Sequence, residues 1–258
     1  MRLKGKKALI TGAGGGIGHE ICCVFSKEGA EVICADIDQA SLNHTVSTIE
    51  QNAGTAFPVI GDLADENHVI ELVKRSKEKF GGLDIVVSNA GIFTAGATIG
   101  ELDDADWDRS LDVNLTAAMR VLRASVDYLK YGIDSAVVIV GSKNVPAPGP
   151  GAAAYSAAKA GLTQLARIAA LELAPHGIRV NTVHPNAVFD TAIWTEEVLA
   201  GRAAHYGLTV NEYKSSNLLT REVRSKDVAA MVCAMAGPDF SRTTGAQVAV
   251  DGGTERIV

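Results

Sequence analysis

Short apolar runs alternate along this chain with longer stretches of mixed polarity. Residues 7–10, 31–36, 56–60, 83–87, 136–140, 177–183 and 245–253 read as strands. Residues 17–29 read as a helix, with Ile21, Val24 and Phe25 on one face. Further helices are expected at 40–51, at 103–130, at 152–174 and at 227–236. One more runs to Phe80, where Gly81-Gly82 stops it. The pattern turns irregular at 192–223, which holds Trp194, His205, Tyr206, Tyr213 and Lys214. That segment reads as a pair of lid helices over a substrate or as an oligomer surface.

The first strand–helix junction is Thr11-Gly12-Ala13-Gly14-Gly15-Gly16-Ile17-Gly18. Glycines let a backbone approach a pyrophosphate, and a helix N-terminus offers N–H groups and partial positive charge. A G-x-G-x-x-G fingerprint does not fit, because Ile17 and His19 stand where glycine is needed. A Walker A loop fails too, since no glycine here precedes Lys-Ser or Lys-Thr. What remains is T-G-x-x-x-G-x-G through Thr11, Gly12, Gly16 and Gly18.

Asp36 ends the second run, 18 residues after Gly18, near where a βαβ unit places a ribose-binding acid. A carboxylate there accepts hydrogen bonds from both adenosine hydroxyls and repels a 2′-phosphate. Ile37 and Asp38 follow it, with no Arg or Lys. The pattern favours NAD over NADP.

Composition narrows the class further. A chain of 258 residues, 47% hydrophobic, can bury a sizeable core in one large α/β domain or two small ones. A net charge of −6 with no dense Lys/Arg run argues against a nucleic-acid partner. No apolar stretch reaches the length of a membrane span. The first seven residues lead straight into the first strand, so no signal peptide and a cytoplasmic location are expected. Cys22, Cys23, Cys34 and Cys233 lack metal-ligand spacing and read as small buried hydrophobes; no metal is expected.

The fifth run ends in Gly141-Ser142, placing a hydroxyl at the carboxyl edge where open α/β sheets bind ligands. Tyr155 and Lys159 are four residues apart on one helix face, and the tyrosine lies 13 residues beyond Ser142. Tyr-x-x-x-Lys alone usually marks a surface; a serine before it in strand–loop–helix order makes it far more specific. Asn114 stands mid-helix, where its amide competes for backbone hydrogen bonds. Lys143 and Asn144 read either as solvent-facing loop or as recognition groups for a hydroxylated or anionic substrate.

In this order and spacing, the motifs from Lys4 to Gly253 resemble the short-chain dehydrogenase/reductase family. The resemblance implies a single α/β domain over 1–258, a doubly wound, Rossmann-like parallel sheet of seven strands with helices on both faces. It implies a coenzyme held by Gly12, Gly16, Ile17, Gly18 and Asp36. Asp62 and Leu63 would hold the adenine, although Asp62 also reads as a helix cap with Asp65 as rival. Ser88-Asn89-Ala90-Gly91 is similar to the family's Asn-Asn-Ala-Gly, so Asn89, Ala90 and Gly91 would pass the ribose. Val188, Tyr155 and Lys159 complete the coenzyme contacts. Asn114 would kink its helix and hold a water near Lys159.

Two loops depart from the family pattern. His184-Pro185-Asn186 stands where Pro-Gly is usual, and Asp190-Thr191 brings the threonine one place late. Within the family, 141–149 and 184–191 resemble the dehydrogenase portion of bifunctional rhamnulose-phosphate aldolase/lactaldehyde dehydrogenases. The resemblance also implies a homotetramer built on the helices at 103–130 and 152–174; the length, mixed polarity and sheet-edge place of about 190–223 point to a substrate lid.

The expected chemistry is hydride transfer between NAD and a small hydroxylated substrate. A free phenol has a pKa of about 10, so Tyr155 needs help to act as a base. A cationic Lys159 and the positive ring of oxidised nicotinamide would favour phenolate. Ser142 would hold the substrate oxygen. The rival readings are an NADP-dependent carbonyl reductase and a non-catalytic dinucleotide-binding sensor.

Overall fold

The computed structural model describes residues 1–254. Its strands are β1 (Lys7–Thr11), β2 (Glu31–Asp36), β3 (Thr55–Ile60), β4 (Ile85–Ser88), β5 (Ala136–Val140), β6 (Arg179–Pro185) and β7 (Gln247–Val250). They form one seven-stranded, all-parallel sheet in the order β3-β2-β1-β4-β5-β6-β7. The helices are α1 (Gly16–Lys27), α2 (Gln39–Gln51), α3 (Glu66–Phe80), α4 (Asp104–Leu111), α5 (Ala117–Leu129), α6 (Ala153–Leu173), α7 (Glu196–His205), α8 (Val210–Lys214) and α9 (Ser225–Ala236).

Side chains alternate between the two faces of each strand. Ile10, Val32, Val87 and Val138 therefore meet Ile21 and Phe25 of α1 and Val228 and Val232 of α9. Leu9, Ile33, Val86 and Val137 face the other way, onto Leu72 of α3, Val121 of α5 and Leu162 of α6. A sheet covered on both faces needs apolar residues throughout its central strands. That is why β5 is a continuous apolar run, buried at every position.

Boundaries differ from the sequence reading where special backbone intervenes. Gly177, at φ 73°, closes a short 3₁₀ turn after α6, so β6 starts only at Arg179. It then runs on through His184 and Pro185. Gly245 and Gly252 are also left-handed and confine β7 to four residues. Pro58 sits within β3, which is tolerated because β3 is an edge strand. Asp65, and not Asp62, caps α3, accepting from Asn67 N at 2.9 Å.

The long helix expected at 103–130 is α4 and α5 joined by one π-helical turn, Asp112–Thr116, with Asp103 as its N-cap. Among the described residues no helix is long and apolar enough to cross a membrane. Cys22, Cys34 and Cys233 are buried as expected; Cys23 is only half-buried, with Sγ 3.6 Å from His19 Nε2.

Candidate active site

The strand order reverses direction between β1 and β4, which opens a crevice at their carboxyl ends. The glycine turn fills one wall of it. Gly12 and Gly16 adopt φ 66° and 50°, a region costly for any side chain. A Cβ on Gly12 would lie 2.8 Å from Ala90 Cα, and one on Gly18 would collide with the Gly12 carbonyl. No side chain caps α1, so its first N–H groups face the crevice without a side-chain acceptor. Ile17 is half-buried against the core. These features fit the phosphates of a dinucleotide.

Asp36 stands beside this turn. Its Oδ2 accepts from Gly14 N at 2.7 Å, and its Oδ1 accepts from Asp38 N at 3.0 Å. A Cβ on Gly14 would come within 2.9 Å of Oδ2. The acid thus shapes the loop as well as being placed to accept ribose hydroxyls. Asp62 is exposed and accepts from Ala64 N at 2.9 Å; Leu63 packs on the second core.

Thr11 and Asn89 lock β1 to β4. Thr11 Oγ1 accepts from the N–H groups of Asn89 and Ala90, both at 3.1 Å. The Asn89 amide donates to the carbonyls of Thr11 and Gly12, at 3.0 and 3.1 Å. The Asn89 side chain is therefore spent on the loop, leaving Ala90 and Gly91 to line the crevice. A Cβ on Gly91 would lie 2.7 Å from Asn114 Oδ1 and 3.3 Å from Lys159 Nζ.

The sheet edge brings Ser142, Tyr155, Lys159 and Asn114 together. Ser142 follows β5; its Oγ accepts from Asn144 N at 3.2 Å. Tyr155 and Lys159 lie on α6, and Lys159 Nζ is 5.7 Å from the Tyr155 ring centre. Phe93, after β4, packs on that ring at 5.2 Å. Lys159 is 3% exposed and donates to Val140 O at 3.0 Å. Asn114 is fully buried, not a surface residue. Its Nδ2 donates to Ser110 O at 3.0 Å, a carbonyl within reach because of the π turn.

In the folded chain without coenzyme, burial holds the Tyr155 phenol above its ordinary value, with the neighbouring Ser142 hydroxyl pulling it back. Burial also lowers Lys159, to about 8.

The segment after β6 returns over the glycine turn. Thr191 Cγ2 lies 3.0 Å from where a Gly16 Cβ would be, and Thr191 Oγ1 donates to Val188 O at 2.9 Å. The late threonine therefore still reaches the crevice. The Val188 side chain is buried in the first core.

Residues 192–223 form two short capped helices, α7 and α8. Thr195 caps the first, and a Thr209–Glu212 capping box starts the second. Aromatic rings tie them to the loop: Phe189 lies 4.9 Å from Trp194 and 5.7 Å from Tyr213, and Tyr206 stacks on Tyr213 at 5.8 Å. Ala187, just before the segment, and Thr220, near its end, adopt φ 48° and 50°, uncommon for residues that are not glycine. A cavity of about 390 Å³ lies beneath, lined by Lys143, Asn186, Phe189, Tyr213, Asn217 and Asp251 among others. Lys214 also borders it, ion-paired to Glu222 at 3.2 Å. A larger hollow, about 580 Å³, opens at the other end of the sheet near Arg179. There Arg179 caps α9 through Met235 O at 2.7 Å and Ala236 O at 3.1 Å, far from Ser142 and Tyr155.

Sequence reasoning did not single out Gly14, Phe93 or His184 as site residues. The first two carry no local signal, because their partners are remote in sequence. His184 is marked only by its departure from the usual loop. Among the described residues no group of three or more His, Cys, Asp or Glu side chains could hold a metal ion.

Comparison with known proteins agrees with this geometry. The sequence profile described as short chain dehydrogenase matches residues 6–200. The chain is 36% identical over 256 residues to the uncharacterized oxidoreductase YuxG of Bacillus subtilis; the match covers 96% of this chain and 37% of that longer protein. An NAD+-bound xylitol dehydrogenase superposes with a TM-score of 0.91 at 27% identity, covering 98% of this chain and all of the other. A short chain dehydrogenase from Burkholderia cenocepacia in complex with NADP gives 0.88 at 32% identity, covering 99% and 100%.

Proposed function

The chain belongs to the short-chain dehydrogenase family, and from that premise we propose that it is an NAD-dependent oxidoreductase of small hydroxylated substrates. The observation that carries the reading is the convergence of Ser142, Tyr155, Lys159 and Asn114 on one sheet edge beside an uncapped glycine turn.

Bound nicotinamide supplies the hydride acceptor or donor. The protein's own groups do the rest. Tyr155 takes the hydroxyl proton in oxidation and returns it in reduction. Burial holds its phenol above the ordinary value, so positive charge beside it, from Lys159 and from an oxidised nicotinamide, would favour the ionised form. Lys159 is the chain's own source of that charge, 5.7 Å from the ring centre. Ser142 Oγ already accepts from Asn144 N, so its hydroxyl proton is directed to a second oxygen. That orientation suits holding Tyr155 or a substrate oxygen. Asn114 fixes the wall behind Lys159.

Asp36 supports NAD over NADP, since a carboxylate at the end of β2 beside the glycine turn would repel a 2′-phosphate. The cavity under α7 and α8 supports the substrate class. Ring faces of Phe189 and Tyr213 stand there with the polar Lys143, Asn186 and Asn217. Such a mixture suits a sugar, polyol, hydroxy-aldehyde or secondary alcohol. We further propose, from the sequence of the loops at 141–149 and 184–191 alone, a kinship with lactaldehyde dehydrogenase portions. As a lid, the segment 192–223 beside that cavity would exclude water from the substrate.

A homotetramer is the proposed assembly. The outer face of α6 leaves Ile168 42% and Leu171 73% exposed beside the small Ala160 and Gly161, a surface suited to helix pairing between subunits. Thiols without disulfides suit a reducing cytoplasm. The test is a screen of sugars, polyols, lactaldehyde and secondary alcohols with NAD and with NADP, read as nicotinamide absorbance. Turnover with NAD supports the reading. Binding of a dinucleotide without turnover of any substrate would favour a sensor, and equal use of both coenzymes would remove the role of Asp36 in selection.

A further inference from the structure

His184 is a buried titratable group that the proposed reaction does not use. It is 4% exposed and lies near the end of β6, between β5 and β7. The β5–β6 ladder runs on past β5 through Gly141 N to Val183 O at 2.8 Å and Lys143 N to Pro185 O at 3.0 Å. Ser142, between those two residues, meets the imidazole instead. Nδ1 lies 3.2 Å from Ser142 N and 2.9 Å from Ser142 O. Nε2 lies 3.2 Å from Gln247 Oε1 on β7. The ring fits only because residue 141 is glycine: a Cβ there would lie 2.7 Å from Nδ1.

A neutral imidazole carries one N–H, so the contacts choose the tautomer. With the proton on Nε2, the ring donates to Gln247 Oε1 and Nδ1 accepts the Ser142 N–H. The Ser142 carbonyl has its own donor, Val145 N at 3.1 Å. With the proton on Nδ1, the ring bonds the Ser142 carbonyl through the shorter contact, 2.9 Å, but that carbonyl already has Val145 N while the buried Ser142 N–H loses this acceptor, a costly exchange. Protonating both nitrogens has the same defect. It is opposed by burial, and by the charge of Lys159, which faces the site from α6.

We propose that His184 is a positioning residue: as the Nε2–H tautomer, fixed by Gln247, it holds the Ser142 backbone so that Oγ is presented to Tyr155. The inference rests on the oxidoreductase reading for its effect on rate, but not for the tautomer itself.

The test has two arms. Nitrogen-15 spectra of the full-length, histidine-labelled protein are expected to show His184 with Nε2 protonated and Nδ1 bare. Kinetics then compare His184→Leu, which removes the acceptor, with His184→Asn, whose Oδ1 takes the place of Nδ1. The Leu variant is expected to lose kcat by roughly 10- to 100-fold, the scale of a misplaced reacting group, with NAD affinity within about twofold. The Asn variant is expected to recover most of that loss at a matched melting temperature. If His184→Leu does not fold, Gln247→Leu leaves the ring in place and is expected to let the Nδ1–H tautomer appear while kcat falls. An Nδ1-protonated ring in the wild type would overturn the proposal. So would a folded Leu variant with kcat within twofold of wild type, or an Asn variant no better than Leu. A wild type that turns over no alcohol sinks the oxidoreductase reading instead, and the ring spectrum still decides the tautomer.

Discussion

The side chain of Asn114 clasps the backbone of Ile92 at both of its polar groups. Oδ1 accepts from Ile92 N at 3.0 Å and Nδ2 donates to Ile92 O at 3.0 Å. One amide thereby ties the π turn between α4 and α5 to the loop after β4, directly behind Gly91 and Lys159. The residue that looks misplaced in a helix is a cross-brace of the crevice. Asn114→Ala leaves the bonded groups of Ile92 without this partner in a half-buried site, where each costs up to about 1–3 kcal/mol. A stability loss of roughly 2–4 kcal/mol in urea unfolding is expected, together with reduced kcat. Loss of activity at unchanged stability would reduce Asn114 to a local role toward Lys159.

Asp36→Asn keeps an acceptor for Gly14 N but removes the charge. The preference for NAD over NADP is expected to fall by tenfold or more, about 1.4 kcal/mol. Asp36→Ala removes the acceptor as well, so it should also destabilise the fold by about 1 kcal/mol or more. The ratio of kcat/KM for the two coenzymes and a melting curve separate the two duties. An unchanged ratio in both variants would contradict the charge argument.

What the sequence makes legible, and what it hides, follows from packing. Sheet strands stand out because both faces are covered: β4 and β5 must be apolar at successive positions. The glycine turn is legible because φ 66° at Gly12 and φ 50° at Gly16 demand glycine at fixed spacing. The end of β6 is hidden, because His184-Pro185 interrupts the apolar run while Ser142 and Gln247 satisfy the ring from remote strands. The second duty of Asp36 is hidden for the same reason, since Gly14 reaches it only in the folded loop. The raised phenol of Tyr155 reflects burial, which four-residue spacing to Lys159 does not encode.

Lys159 gives a pH signature. Its ammonium is buried, and its pKa falls from 10.5 to about 8. Below about 8 both folded and unfolded chains carry the proton, and the folded chain bears the full cost of a buried charge. Between about 8 and 10.5 the folded chain has shed its proton while the unfolded chain keeps it, so stability rises with pH across that window. A shift of this size corresponds to about 3 kcal/mol, and loss of the bond to Val140 O returns about 1. Lys159→Met is therefore expected to be about 2 kcal/mol more stable than wild type at neutral pH. That advantage should shrink steadily above about pH 8. A difference that stays flat from pH 7 to pH 10 would contradict it.

The segment 192–223, proposed as a lid, is expected to order further on ligand binding. Its helices are short, and the rings of Trp194, Tyr206 and Tyr213 tie it to Phe189. Hydrogen exchange over 192–223 should slow when NAD and substrate are both present. High protection in the ligand-free chain, unchanged by either, would make the segment a fixed surface. Substrate choice would then be sought at Lys143, Asn144 and Asn186.

Tyr155→Phe tests the proposed chemistry most directly. The substitution removes one oxygen and keeps the ring against Phe93. NAD binding, measured by titration, is expected to stay within about twofold while kcat falls by about 10²- to 10⁴-fold, the range of a lost acid–base group. A folded Phe variant that binds NAD and keeps most of its kcat would contradict the assignment of Tyr155 as the acid/base.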